Sequence, residues 1–310
     1  MVDPASNAVL SAFAPAGAEA AIVLRLFWVM LAASLLLWLV VLAIAWHAAR
    51  RRAPADARRA QWLIVIGGVA TPTVVLGALL AWGLLLMPQL RAEVPADALN
   101  VSVSGEQWWW RVRYRDGAVE TANEIRIPVG RPVALTLTTP DVIHSFWVPA
   151  LAGKMDMIPG RSNTLVLQAD RAGTFRGVCA EYCGPSHAQM RLLVVAMPPP
   201  AFARWLQAQA APAAVVDGPA AQGRAAFLRN GCGACHAVRG TAAAGRVGPD
   251  LTHVGSRLEL AAGTFANDSE SLQRWIERPH ARKPGALMPR FDMLPPDEVQ
   301  AIAAWLGELE

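Results

Sequence analysis

The chain has 310 residues, 54% of them hydrophobic and 17% charged, against a charged share of roughly 25% in an average soluble domain. That balance excludes a disordered polymer and an ordinary soluble enzyme, and at about 150 residues per domain it allows two domains plus membrane spans. The formal charge of +4 is local: residues 91–200 hold 11 basic and 10 acidic groups and residues 217–310 hold 10 and 11, while Arg50, Arg51, Arg52, Arg58 and Arg59 crowd one short stretch. No broad basic face exists for a phosphate backbone, which excludes nucleic acid as a partner.

In chain order, an outer N-terminal segment (residues 1–24) leads into a predicted transmembrane hairpin over residues 25–90. Residues 26–46 and 62–87 are free of charge for 21 and 26 positions, and at a rise of about 1.5 Å per residue each crosses a hydrocarbon core of about 30 Å. Trp28, Trp46, Trp62 and Trp82 sit near the span ends, as expected of an interfacial belt. The arginines lie between the spans, whereas residues 1–24 contain only Asp3 and Glu19. The positive-inside rule therefore places the loop in the cytoplasm and both termini outside, in the periplasm beyond a bacterial inner membrane or an equivalent space. No charged n-region with a cleavage site opens the chain, so a signal peptide is absent or removed. Pro72 and Gly67-Gly68 inside the second span imply a neighbouring helix that satisfies the freed backbone.

Residues 95–197 read as an all-β domain. Short runs at 99–103, 124–129, 133–138, 164–168 and 191–196 are separated by Asp116-Gly117, Gly130, Pro140, Pro159-Gly160 and Ala172-Gly173, the pattern of a sandwich or Greek-key barrel. Its chemistry lies in Cys179-Ala-Glu181-Tyr-Cys183-Gly-Pro-Ser-His187-Ala-Gln-Met190, with His144 upstream. Two thiolates, imidazoles and a thioether select copper, and two sulfurs on one loop can bridge two metal ions. Tetrahedral zinc and a Cys179–Cys183 disulfide in an oxidising compartment remain open, although neither accounts for the full donor set.

Residues 198–216, opening Pro198-Pro199-Pro200 and then rich in alanine, read as a linker of limited slack. Residues 217–310 contain Cys232-Gly-Ala-Cys235-His236, the c-type haem attachment pattern, in which two thioethers fix the porphyrin and the histidine ligates iron. The sixth ligand is expected from Met288, with Met293 as its rival and His253 and His280 as weaker ones. The last helix follows Pro295-Pro296, carries Asp297 and Glu298 in its first turn, and turns Val299, Ile302, Ala303 and Leu306 to one side.

Over roughly residues 20–197, the two spans, the run Gln107-Trp108-Trp109-Trp110, His144 and the Cys-x-x-x-Cys-x-x-x-His-x-x-Met loop resemble subunit II of the haem–copper oxidases, in particular cytochrome c oxidase. The resemblance implies a cupredoxin domain with the dinuclear CuA centre. Cys179 and Cys183 would bridge, His144 and His187 would each cap one copper, and Met190 and the Glu181 carbonyl would be weak ligands. It further implies a magnesium or manganese site at the Glu181 carboxylate shared with subunit I, electron transfer through Trp108, and residues 154–161 at the subunit I interface. Residues 217–310 resemble a class I bacterial cytochrome c, with Gly248-Pro249-Asp250-Leu251, Gly255-Ser-Arg257 and Trp275 in place, and Arg257 as a contact for a haem propionate. The fold class implied is a transmembrane helical hairpin, an all-β cupredoxin barrel and an all-α cytochrome c.

The function expected is the electron-accepting subunit of a respiratory, proton-translocating oxidase. It would take electrons from a cytochrome c or bc complex and pass them from haem c through CuA to subunit I, where oxygen becomes water, with subunit III as a further partner. The alternatives are the equivalent subunit of a nitric oxide reductase, or a membrane copper-binding protein that is no enzyme component. One departure from the family pattern is that no glutamate opens the second span, where Arg58-Arg59-Ala-Gln-Trp62 stands, which weakens any proton path through this chain.

Overall fold

The computed structural model describes residues 8–50, 56–90, 93–214 and 220–310; Asp3, Arg51, Arg52 and positions 215–219 of the linker and domain boundary lie outside the described residues. It separates into two compact units, residues 21–93 and the remainder.

The first unit is helical. Helix α1 (Ala18–Arg50) is exposed along most of its 33 residues. The second run starts five residues before the predicted span, because Asp56 caps α2 (Ala57–Trp62) by accepting the Arg58 N–H at 3.0 Å. It then widens into a π-helical stretch, Leu63–Ala70, before α3 (Thr71–Leu90). The widening ends just before Pro72, which has no N–H to offer. Thr71 N–H reaches back five residues to the Ile66 carbonyl, and the Thr73 hydroxyl donates to the Val69 carbonyl at 2.8 Å. Both bonds lie beside the position that Pro72 leaves without a donor. Ala18–Arg50 and Ala57–Pro88 are both long and apolar enough to cross a membrane.

In the second unit two five-stranded sheets face each other. One has the order β3 (Val119–Ala122), β2 (Trp109–Tyr114), β1 (Leu99–Glu106), β5 (Val133–Thr138), β8 (Asn163–Leu167); the other has β4 (Glu124–Pro128), β10 (Arg191–Met197), β9 (Gly173–Cys179), β6 (His144–Trp147), β7 (Met155–Met157). Strand β1 alternates exposed and buried positions, as period-two geometry requires when one face is wet. Trp110, Tyr114, Phe146, Phe175, Ile125 and Ile127 fill the space between the sheets. This is the cupredoxin-type sandwich expected. Residues 9–17 also belong to it: Val9 bridges to Phe175, and Ala16 donates to Ala150 O at 2.7 Å while accepting from Asp170 N at 2.8 Å.

The expected tether is mostly a docked helix. In α4 (Pro199–Ala210) Phe202 and Leu206 are buried against the barrel, with Trp205 edge-on to Tyr114 at 5.4 Å. The carbonyls at its far end accept from the other domain, Gln209 O from Arg239 Nη2 at 2.5 Å and Ala211 O from His253 Nε2 at 3.0 Å. An apolar face on an alanine-rich segment is enough to hold it down, which composition alone concealed.

The helical domain packs α5 (Ala220–Arg229), α6 (Ser269–Glu277), the short α7 (Pro279–Arg282) and α8 (Pro296–Gly307) around Phe227, Leu272, Ile276, Val299, Ile302 and Trp305. It is fastened to the barrel by a two-pronged ion pair from Arg176 to Glu259 at 2.6 and 3.0 Å. Further bonds run from Leu258 N to Glu124 Oε2 at 3.0 Å and from Arg111 Nη2 to Arg246 O at 3.0 Å.

Candidate metal and haem sites

The first site forms where β9 ends at Cys179 and the loop returns to β10. Cys179 N–H donates to Met190 O at 3.0 Å and closes the base of this loop, while Ala180 N–H donates to Ser145 O at 2.8 Å and ties it to β6. These bonds bring five donors together. Cys179 and Cys183 Sγ are 3.8 Å apart, His144 Nδ1 is 3.8 Å from Cys179 Sγ, His187 Nδ1 is 3.5 Å from Cys183 Sγ, and Met190 Sδ is 3.8 Å from Cys183 Sγ. The Glu181 carbonyl lies 3.2 Å from Cys179 Sγ, and the Glu181 carboxylate is exposed. A disulfide needs about 2.05 Å between sulfurs, so the pair is two free thiols. Ligand bonds of roughly 2.0–2.3 Å fit into these gaps. Among the described residues, His144, Cys179 and Cys183 form the one group of three His, Cys or acidic side chains clustered closely enough for a metal ion.

The electrostatics prepare the cluster for a cation. The hydrogen bond shared by the two thiols holds Cys179 well below the ordinary thiol range and pushes Cys183 up; the thiolate is the ligating form. Burial lowers His144, but its hydrogen bonds with Cys179 and Asp141 outweigh that and raise it. Asp141 accepts from His144 Nε2 at 2.8 Å and from Gln107 N–H at 2.7 Å, which turns the Nδ1 lone pair toward the sulfurs. Next to His144 on β6, Ser145 donates to Asp156 of the neighbouring β7 at 2.8 Å.

The second site is a cavity of about 400 Å³ lined mostly by the helical domain and closed on one side by barrel residues that include Trp108, within the size range of cofactor pockets. Cys232, Cys235, His236, Arg257 and Met288 line it. His236 Nδ1 donates to Pro249 O at 2.8 Å, so Nε2 is the nitrogen left to ligate iron, and burial holds the imidazole below its ordinary range, in the ligating form. Met293 is 67% exposed and His280 is exposed. His253 spends its Nε2 on the linker, so of the four distal candidates only Met288 lines the cavity. Arg257 donates to Asp250 O, but its Nε is buried without a partner among the described residues. An orphaned guanidinium N–H in a cavity lined by Cys-x-x-Cys-His is what an anionic porphyrin edge would satisfy, so these residues fit a haem.

Trp108 belongs to both sites. It lines the cavity, and its indole N–H donates to the Cys183 carbonyl at 2.9 Å, which also accepts from Gln107 Nε2 at 2.7 Å. Trp110 is wholly buried in the barrel core and Trp109 lies under the Arg111 guanidinium at 4.6 Å. Sequence reading missed Lys283, a cavity-lining residue only 3% exposed, whose Nζ donates to Ala261 O at 2.8 Å and Gln189 O at 3.1 Å. Nothing in its sequence neighbourhood signals burial.

Burial holds the Lys283 amine at about 7, below the ordinary value of about 10.4. Between those values the unfolded chain carries a proton that the folded chain lacks, so stability rises with pH across the window and this penalty is complete below pH 7. Denaturant midpoints from pH 6.5 to 10 should show that Lys283→Met flattens the rise. Parallel pH curves for wild type and variant would contradict it.

A sulfur-rich donor cluster on a cupredoxin fold, joined to a haem-type cavity and preceded by two apolar helices, defines a membrane-anchored electron-transfer protein. Residues 116–197 match the family described as cytochrome C oxidase subunit II, periplasmic domain, and residues 220–310 match cytochrome c. The chain is 39% identical to cytochrome c oxidase subunit 2 of Alkalihalophilus pseudofirmus over 222 residues, covering 70% of this chain and 63% of that one. It is 34% identical to the subunit 2 of Bacillus sp. strain PS3 over 225 residues, covering 69% and 63%. The solved periplasmic domain of subunit II of cytochrome oxidase of Bradyrhizobium japonicum matches at 32% identity and a TM-score of 0.36, over 38% of this chain and 96% of that one. The chain thus joins a domain of the cytochrome c oxidase subunit II type to a cytochrome c domain, and it spans less than two thirds of the length of the curated relatives it matches.

Proposed function

We propose that this chain is the electron-accepting subunit of a cytochrome c oxidase, in which the haem c domain delivers electrons to a dinuclear copper centre and the copper centre delivers them to subunit I. The observation that carries the reading is the double engagement of Trp108, which lines the haem cavity while its N–H is bonded to the carbonyl of a copper-ligand cysteine.

Haem and copper each supply reversible one-electron chemistry, and the chain supplies position, orientation and exclusion of water. Cys232 and Cys235 would anchor the porphyrin and His236 and Met288 would ligate its iron, with the Arg257 Nε facing a propionate. Cys179 and Cys183 would bridge the coppers, His144 and His187 would cap them, and Met190 and the Glu181 carbonyl would complete the set. Asp141 keeps His144 in the ligating tautomer. Glu181's exposed carboxylate is offered to a magnesium ion shared with subunit I; among the described residues it belongs to no group of three His, Cys or acidic side chains close enough to hold an ion.

The helical hairpin anchors the subunit in the bacterial inner membrane, both flanks facing the periplasm. Two observations support that orientation: the arginines lie between the spans, and residues 9–17 pair with the same barrel that follows the second span. Subunit I, which reduces oxygen, is the partner in the membrane.

Metal analysis of the full chain should give two coppers per covalently bound haem, with a mixed-valence copper spectrum, and pre-reduced haem should lose its electron to that copper. One copper per haem in folded protein, or a reduced haem that never discharges into loaded copper, overturns the reading.

A further inference from the structure

The loop holding Cys183, His187 and Met190 is clasped by the cytochrome domain at one place. Ser186, wholly buried, donates from Oγ to Pro284 O at 2.7 Å; Gln189 Nε2 donates to Arg282 O at 2.9 Å; Lys283 Nζ returns a bond to Gln189 O at 3.1 Å. Ser186 and Gln189 immediately precede the ligand candidates His187 and Met190. The clasped segment runs into Gly285, which adopts φ +82° and lies so close to Trp108 that a Cβ would stand 2.6 Å from Cη2 and 2.9 Å from Cζ3. Glycine is required there twice over, for its left-handed backbone and for the approach. The indole is held from its opposite edge by the Cys183 carbonyl.

Burying an amine is costly, and a methionine of similar length would pack there at less cost. Arg176–Glu259 and Arg111–Arg246 already hold the domains together elsewhere, so Lys283 is not needed for adhesion. Its bonds go to Ala261 O and Gln189 O, beside the segment that reaches Trp108 at Gly285.

We propose that Ser186, Gln189 and Lys283 are positioning residues that seat residues 282–285 on Trp108, making the cytochrome domain a permanently docked donor to the copper loop. This rests on the functional reading above. In the transfer, ferrous haem iron is oxidised by one electron and the oxidised copper pair is reduced by one; no bond forms or breaks and no proton need move. The seated contact removes the docking step that a mobile tethered domain repeats at each turnover. Neutral or charged, Lys283 keeps the two N–H donors it uses.

The test uses the full chain in detergent with haem and copper loaded. A photoexcited ruthenium complex injects one electron into the haem, and haem oxidation is followed with copper reduction. Wild type should transfer in a single phase that is indifferent to added glycerol. Lys283→Met and the double variant Ser186→Ala/Gln189→Leu should transfer roughly tenfold to a hundredfold more slowly, the scale on which about 1 Å of misplacement acts. Their rate should fall as viscosity rises, because each transfer awaits reseating, while haem and copper spectra and midpoint potentials stay as in wild type. Ser186→Thr, which keeps the hydroxyl, should restore glycerol-independent transfer.

Gly285→Ala removes no hydrogen bond and pushes on Trp108 directly, so it decides the matter if the double variant fails to load metal, and it should also slow the transfer. Wild-type rates without viscosity dependence in Lys283→Met and Gly285→Ala would overturn the proposal. Loaded wild type that shows no transfer at all would instead defeat the functional reading.

Discussion

Cys179→Ser is expected to abolish the proposed copper pair, lowering the yield from the two coppers per haem that the proposal requires to one or none and extinguishing the mixed-valence spectrum. Cys179 is 6% exposed and stands at the centre of the donor set, within 3.8 Å of His144 Nδ1 and Cys183 Sγ and 3.2 Å from the Glu181 carbonyl. A hydroxyl is isosteric enough to preserve the loop, whose base is closed by the backbone bond from Cys179 to Met190. It is nevertheless a hard donor that does not ionise near neutral pH, whereas copper at this site needs a soft thiolate. The remaining Cys183, His187 and Met190 could hold one ion at most. Atomic absorption and electron paramagnetic resonance on the purified full chain check the result, with the haem absorbance as the internal count. Two coppers retained in Cys179→Ser would show that the sulfurs do not bridge.

The second large effect is expected at Gly248. A Cβ on this residue would press on His236 Cε1 and stand 2.8 Å from Nδ1, the nitrogen that holds the ring to Pro249 O at 2.8 Å. Gly248 N–H is itself bonded to the Cys235 carbonyl at 2.9 Å, so the backbone is pinned and the ring must give way. Gly248→Ala should therefore cost a bound haem the ligand that His236 would supply, converting ferric haem from low to high spin, and destabilise the domain by about 1–3 kcal/mol, as overpacking does. The Soret position, the spin state at low temperature and the denaturant midpoint report the three consequences. An unchanged low-spin spectrum would mean that His236 is not the ligand, or that the loop yields where the structure holds it.

Both predictions rest on side chains whose identity was plain in the sequence. Cys179 to Met190 occupy twelve consecutive positions and Cys232 to His236 five, so the donor chemistry is local and legible without a fold. The two apolar runs were equally plain, because a bilayer demands about 20 residues of one character whatever else the chain does. Strands β1, β4, β5, β8 and β10 could be read from alternation or β-branched content. Strands β2, β3, β6, β7 and β9 could not: β6 and β7 have only four and three residues, and β9 carries two glycines and an arginine. Their strand character comes from neighbours in the sheet, not from propensity.

The sequence already favoured Met288 over Met293, His253 and His280 as the sixth ligand; what the fold added is that, of the four, Met288 alone lines the cavity. What the sequence determined by itself was the inventory: which donors exist, on which segment, and in what order along the membrane and the two outer domains. Only the tertiary structure decided how the two redox sites meet. The contacts that join them link residues 75, 94 and 98 positions apart, from Trp108 to Cys183, from Gln189 to Lys283 and from Ser186 to Pro284. No periodicity or short motif encodes such pairs, because they exist only once the sandwich has presented its copper loop and the helical domain has closed over it.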